Sequence, residues 1–261
     1  MADTCIFCGG TPLSREHLWP DWLRREAALK ESFDYRLEQE VDGVETRDLN
    51  FSSPPFNQVV RAVCASCNGG WMSPIEQGAK PILQDLIYGH SRTLDKCDKR
   101  TLATWAFLKA CVFDELHPQE RVVPAEHRAR LFTYKRPPAT GVAIWLGTYE
   151  AQEVGHYAYQ GLLVGRTGSP GPDEPTIYIV TITVGTLIIQ VAGSVVEGLG
   201  FDDLDLDTLA PELHVAKIWP AAGDVLVFAQ EYVMDHKTLV GFTQFLYNAI
   251  GRLTGGAPPA R

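Results

Sequence analysis

Two Cys-x-x-Cys pairs, "CIFC" at 5–8 and "CASC" at 64–67, constrain this chain more than any other feature. Such a turn lets two sulfurs face one ion, and two turns supply the four thiolates of a closed tetrahedral site. Cys5, Cys8, Cys64 and Cys67 are therefore expected to hold one structural zinc, tying the N-terminus to a point about 55 residues on. A disulfide framework is the weaker use of these cysteines. The sequence opens without a basic-then-apolar leader, and 261 residues can bury a core without staples. Cys97 and Cys111 lack partners at useful spacing, and Cys111 falls in an apolar run that reads as core.

No apolar run approaches the roughly 20 residues of a membrane span, so a cytoplasmic protein without membrane association is expected. The net charge is −9, and residues 1–80 alone hold 8 Lys+Arg against 12 Asp+Glu. Proteins that live on duplex DNA usually carry a basic face, because phosphate neutralisation dominates their affinity. A nucleic-acid partner here must rely on a local basic patch or a metal.

The expected fold class is α+β. Residues 1–90 read as a zinc-stapled module, 91–136 as a helical connector, and 137–261 as a β-rich domain with a C-terminal helix. Within the module, "PDWLRREAALK" reads as a short helix with Pro20 near its start. "FDYRLEQEV" and "VETRDLNFS" read as a hairpin turning at Asp42-Gly43, and "FNQVVRAV" as a strand running into Cys64. From Gly70 the pattern turns helical. A second helix spans 98–116, with Trp105, Leu108, Val112 and Leu116 on one face. Beyond Pro137-Pro138 lie short β-like runs, "GVAIWLGTY", "YAYQGLLVG", "TIYIVTITVG", "TLIIQVAGS" and "VLVFAQEY", then the helix "HKTLVGFTQFLYNAIGRL".

One zinc holding both knuckles would set the strand carrying "REH" beside the helix that begins at Asn68. Glu76 lies about two turns along that helix. Glu16 and Glu76 could then hold a hard divalent cation, Mg²⁺ or Mn²⁺, with waters completing its shell. His17 would take a proton from a water, and Asn68 would hold His17 by a hydrogen bond.

This set of residues resembles the HNH endonuclease family, the ββα-metal fold. The matching pieces are "CIFC", "EHLWP", the intervening hairpin and "CASCNGGW", within residues 3–80. The resemblance implies single-metal hydrolysis of phosphodiester bonds in nucleic acid, DNA before RNA. It makes His17 the general base, Glu16 a metal ligand and Asn68 the orienting residue. The chain departs from the family pattern in two places. The helix lacks the family's last His, for which Glu76 is the substitute, and Trp71 stands where many members have Lys. Two further readings stay open: a zinc-stapled binding or structural protein on the same scaffold without nuclease activity, and the scaffold turned to small-molecule chemistry.

The remaining features read as structural. Trp19, Trp22 and Trp71 could stack on bases but suit a small core better. Arg128 and Arg130 could touch phosphate, though helix surface charge is the commoner reading. "FDDLDLD" lacks the Gly and terminal Glu of a calcium loop, and Glu150, Glu153 and His156 lack a metal spacing. The β-rich half carries no motif; target recognition, partner binding and homodimer formation are its open roles.

Overall fold

The computed structural model describes residues 4–26, 33–41, 44–53, 56–116, 121–162, 175–221, 223, 225–229 and 232–253. For 24, 26, 33–41, 44–53, 151–162, 207 and 247–253 it describes the backbone alone. The fold is α+β, as expected.

Strand β1 (Leu13–His17) pairs antiparallel with β4 (Val59–Cys64), and helix follows at once. That helix runs as α2 (Ala65–Cys67), a π turn (Asn68–Met72) and α3 (Ser73–Ile87), so it starts earlier than Gly70. Gly70 (φ −87°, ψ −107°) breaks the helical geometry inside the π turn. Between the two strands lie α1 (Asp21–Glu26) and the antiparallel pair β2 (Phe33–Val41) and β3 (Val44–Ser53). The Asp42-Gly43 turn and the end of the "PDWLRREAALK" helix lie outside the described residues.

After β5 (Arg92–Asp95) comes α4 (Lys96–Phe113), extended by a 3₁₀ turn over Asp114–Leu116. The Asp95 carboxylate accepts from the Asp98 N–H at 2.8 Å and starts α4. From Leu102 to Phe113 every residue of α4 is buried. A helix with no solvent face belongs at the centre of a fold, and α4 packs on α3 and on the sheet behind it. Helix α5 (Ala125–Tyr134) leads to that sheet.

The four central β-like runs merge into two long strands, β6 (Val142–Leu162) and β7 (Ile177–Ser194). They pair antiparallel. Strand β6 also takes β8 (Ala216–Trp219) near its start and β2, in parallel, near its end. The hairpin of the N-terminal segment thus becomes the edge of the large sheet. Helix α6 (Leu206–Leu209) precedes β8, and β9 (Val225–Phe228) returns to pair with β5. The chain closes with α7 (His236–Leu253).

Both sheet faces are covered. Ile144, Leu146, Val180 and Ile182 join the core shared with α3 and α4. Trp145, Ile177 and Ile179 face Leu239, Phe242 and Leu246 of α7. Along β7 the residues facing α4 are even-numbered through Val184 and odd-numbered from Leu187. Gly185 makes this switch: at φ +55° it slips the alternation by one residue, where a Cβ would stand 2.3 Å from Ile87 O.

A cysteine knuckle beside a buried Glu–Lys–Glu triad

The Sγ atoms of Cys5, Cys8, Cys64 and Cys67 all lie within 4.8 Å of one another, and none is in a disulfide. Cys8 and Cys64 are 3.5 Å apart. Zinc–sulfur bonds of about 2.3 Å put tetrahedral sulfurs about 3.8 Å apart, so the cluster fits a closed four-thiolate site. The local backbone explains the shape. Gly9, at φ +69°, lets the first knuckle turn, and its N–H donates to Cys5 O. The Ile6 N–H donates to Ala62 O, which lays this knuckle against β4.

The sulfurs have donors around them. The Gly10 N–H reaches Cys8 Sγ at 3.3 Å, and the Ser66 hydroxyl lies 3.1 Å from Cys64 Sγ. That hydroxyl draws the Cys64 thiol down to about 6, towards the thiolate a metal needs. Burial instead pushes the Cys67 thiol up, as befits a sulfur whose charge requires a cation beside it. Trp71 Nε1 is buried without a conventional acceptor and lies close to Cys67 Sγ.

Next to the knuckle, the structure brings Glu16 and Glu76 together and sets a lysine between them. Lys109, fully buried on α4, places Nζ 3.1 Å from Glu16 Oε1 and 2.5 Å from Glu76 Oε1. It also donates to His17 O at 3.0 Å. The contacts with Glu16 and His17 O are hydrogen bonds, and Glu76 adds an ion-pair contact without hydrogen-bond geometry. Burial alone would pull the ammonium down, but the two carboxylates hold it above the ordinary lysine range. Glu16 is itself pushed up, first by burial and then by Glu76, because one ammonium leaves a net negative charge between two acids. Sequence reasoning missed Lys109. The available signal was a lone cation in the run "TWAFLKACVF", which has no polar face on which to leave it.

Neighbouring strand residues face opposite ways: Glu16 is 4% exposed, while His17 is half-buried. Asn68 does not hold His17. Its Nδ2 donates to Ser14 Oγ at 3.2 Å and Arg15 O at 3.4 Å, upstream in β1. The reason is the irregular register between Ser14 and Glu16, which turns the Arg15 carbonyl towards the helix. Asn68 thus fixes the strand rather than the imidazole.

The other singled-out residues fall mainly in structural places. Trp19 is buried edge-on against Phe56 and Phe113, and the half-buried Trp71 packs edge-on against Phe7. Lys80 lies over the Trp22 ring. Cys111 is core and Cys97 is exposed. Arg128 is not helix surface charge: it is buried and donates to Val123 O. Arg130 is exposed and pairs with Glu126. In "FDDLDLD", Asp202 accepts from the Gly141 N–H at 2.6 Å. The side chains of Glu153 and His156 lie outside the described set.

Among the described residues no helix is long and apolar enough to cross a membrane. No protein family, no curated protein and no solved structure matches this chain.

Proposed function

We propose that residues 5–87 are a zinc-stapled ββα module of the HNH kind, serving as a fixed binding or structural scaffold without metal-dependent nuclease activity. The Lys109 ammonium between Glu16 and Glu76 carries this reading. A hard divalent cation needs about six oxygen ligands and open positions for water and substrate. Here both carboxylates already share a cation that is closed to solvent and hydrogen-bonded to Glu16 and to His17 O. A second metal would have to displace a buried charge from its partners. The thiolate cluster, by contrast, supplies all four ligands of a structural zinc.

A second reading, a metal-dependent endonuclease, draws on two observations. Two acids converge on one cation position, and Asn68 pins the strand that leads to His17. On that reading Glu16 and Glu76 hold Mg²⁺ or Mn²⁺, which would polarise a scissile phosphate of DNA or RNA. His17 takes the proton of the attacking water. Lys109 must then leave both carboxylates.

Incubation of zinc-loaded protein with plasmid and with single-stranded RNA, in Mg²⁺, Mn²⁺ or Ni²⁺, separates the two. The scaffold reading expects intact substrate throughout. Cutting that disappears in His17→Ala would replace it with the nuclease reading.

A further inference from the structure

Lys135 closes α5 in the left-handed conformation (φ 52°, ψ 37°). This position usually falls to glycine or asparagine, because an L side chain with a Cβ is strained there. A lysine held in such a conformation raises the question of what its side chain does. Its Nζ stands 4.4 Å from the centroid of Trp71 and 3.9 Å from that of Phe132. Trp71 comes four residues after Cys67 and packs edge-on, at 5.1 Å, against Phe7, which lies between Cys5 and Cys8. The ammonium donates to Phe132 O and is thus held on the aromatic cover of the knuckle, over Trp71.

A zinc ion bound by four thiolates carries a net charge of about −2. N–H and O–H donors offset part of it, and the Gly10 N–H and the Ser66 hydroxyl that reach these sulfurs are neutral. We propose that Lys135 is the outer cation of the zinc centre, a positioning residue delivered from α5 that offsets the thiolate charge and slows loss of the metal. The proposal rests on zinc occupying the four cysteines. It also gives a purpose to an aromatic–cation stack outside the segment that supplies the ligands.

The test is zinc release to excess EDTA at fixed pH, after zinc content has been measured. Lys135→Met keeps the stem and drops the charge. It is expected to release zinc roughly two- to fivefold faster than wild type at low salt, the scale of an exposed charge interaction. The difference should shrink near 1 M NaCl, where screening acts within about 3 Å. Lys135→Arg should keep the wild-type rate. Lys135→Gly suits the backbone, keeps the fold, and should release zinc like the Met variant. A Met or Gly variant that holds zinc as long as wild type overturns the proposal, as does an Arg variant as fast as Met. Wild-type protein without zinc overturns both the proposal and the zinc reading beneath it; one zinc with equal rates overturns only the role of Lys135.

Discussion

Lys109 and Glu16 meet at 3.1 Å from positions 93 residues apart, both buried, and so lock the central helix α4 to strand β1. Glu76 of α3 is the third member, so one ammonium joins three elements. Such a contact contributes little net stability over a well-packed apolar one, but breaking one side of it is costly.

Lys109→Met should therefore strand two acids. It is expected to lower the unfolding free energy of zinc-loaded protein by about 3–5 kcal/mol. Adding Glu16→Gln should recover part of the loss, because the second change removes a charge left unpaired by the first. Denaturant unfolding of the single and double variants measures this. Equal stability of Lys109→Met and wild type would show that the triad is not formed.

Asp114 gives a pH dependence of known sign. Burial pushes its carboxyl up to about 7, against the pull of the Val122 and Val123 N–H groups that it accepts. The folded state then keeps a proton that the unfolded chain gives up near pH 4. This contribution to stability is present below about pH 4 and is lost as pH rises to about 7. Asp114→Asn cannot titrate, so the stability gap between wild type and variant should move against wild type by up to a few kcal/mol over that interval. Unfolding free energies at pH 5 and pH 8 test it; a constant gap contradicts it.

Asn68→Ala removes the donor to Ser14 Oγ and Arg15 O and should cost about 1 kcal/mol while leaving zinc content unchanged. Loss of zinc from this variant would mean that Asn68 shapes the knuckle rather than the strand.

Two glycines make a paired control. Gly185→Ala drives a Cβ into Ile87 O in a left-handed position, and should destabilise by about 1–3 kcal/mol. Gly241→Ala, in α7 with open space around it, should be neutral or gain up to about 1 kcal/mol. Thermal melts of the two should shift in different directions or by clearly different amounts.

The cysteine spacing made the knuckle legible, because Cys-x-x-Cys geometry is local. The convergence of Glu16 and Glu76 was legible only as a consequence of that knuckle. What fills the space between them was not, since Lys109 lies in a helix that periodicity describes only as apolar. Arg128 escaped for the opposite reason: a buried cation in a charged stretch looks like surface until its partners are known. Strands β6 and β7 were read as four short runs because Gly185-Thr186 and the segment around Glu150 look like breaks. The backbone instead passes through both, with register shifts in its pairing. Strand β8, "AKIW", is four residues long and carries too little pattern to find.

Lys109 already fills the cation position between Glu16 and Glu76. Calorimetric titration of Mn²⁺ into zinc-loaded wild-type protein tests it most directly, with Glu76→Gln alongside. Wild type is expected to show no stoichiometric Mn²⁺ binding beyond the weak background shared by the variant. One Mn²⁺ per chain, bound by wild type and lost in Glu76→Gln, would contradict it.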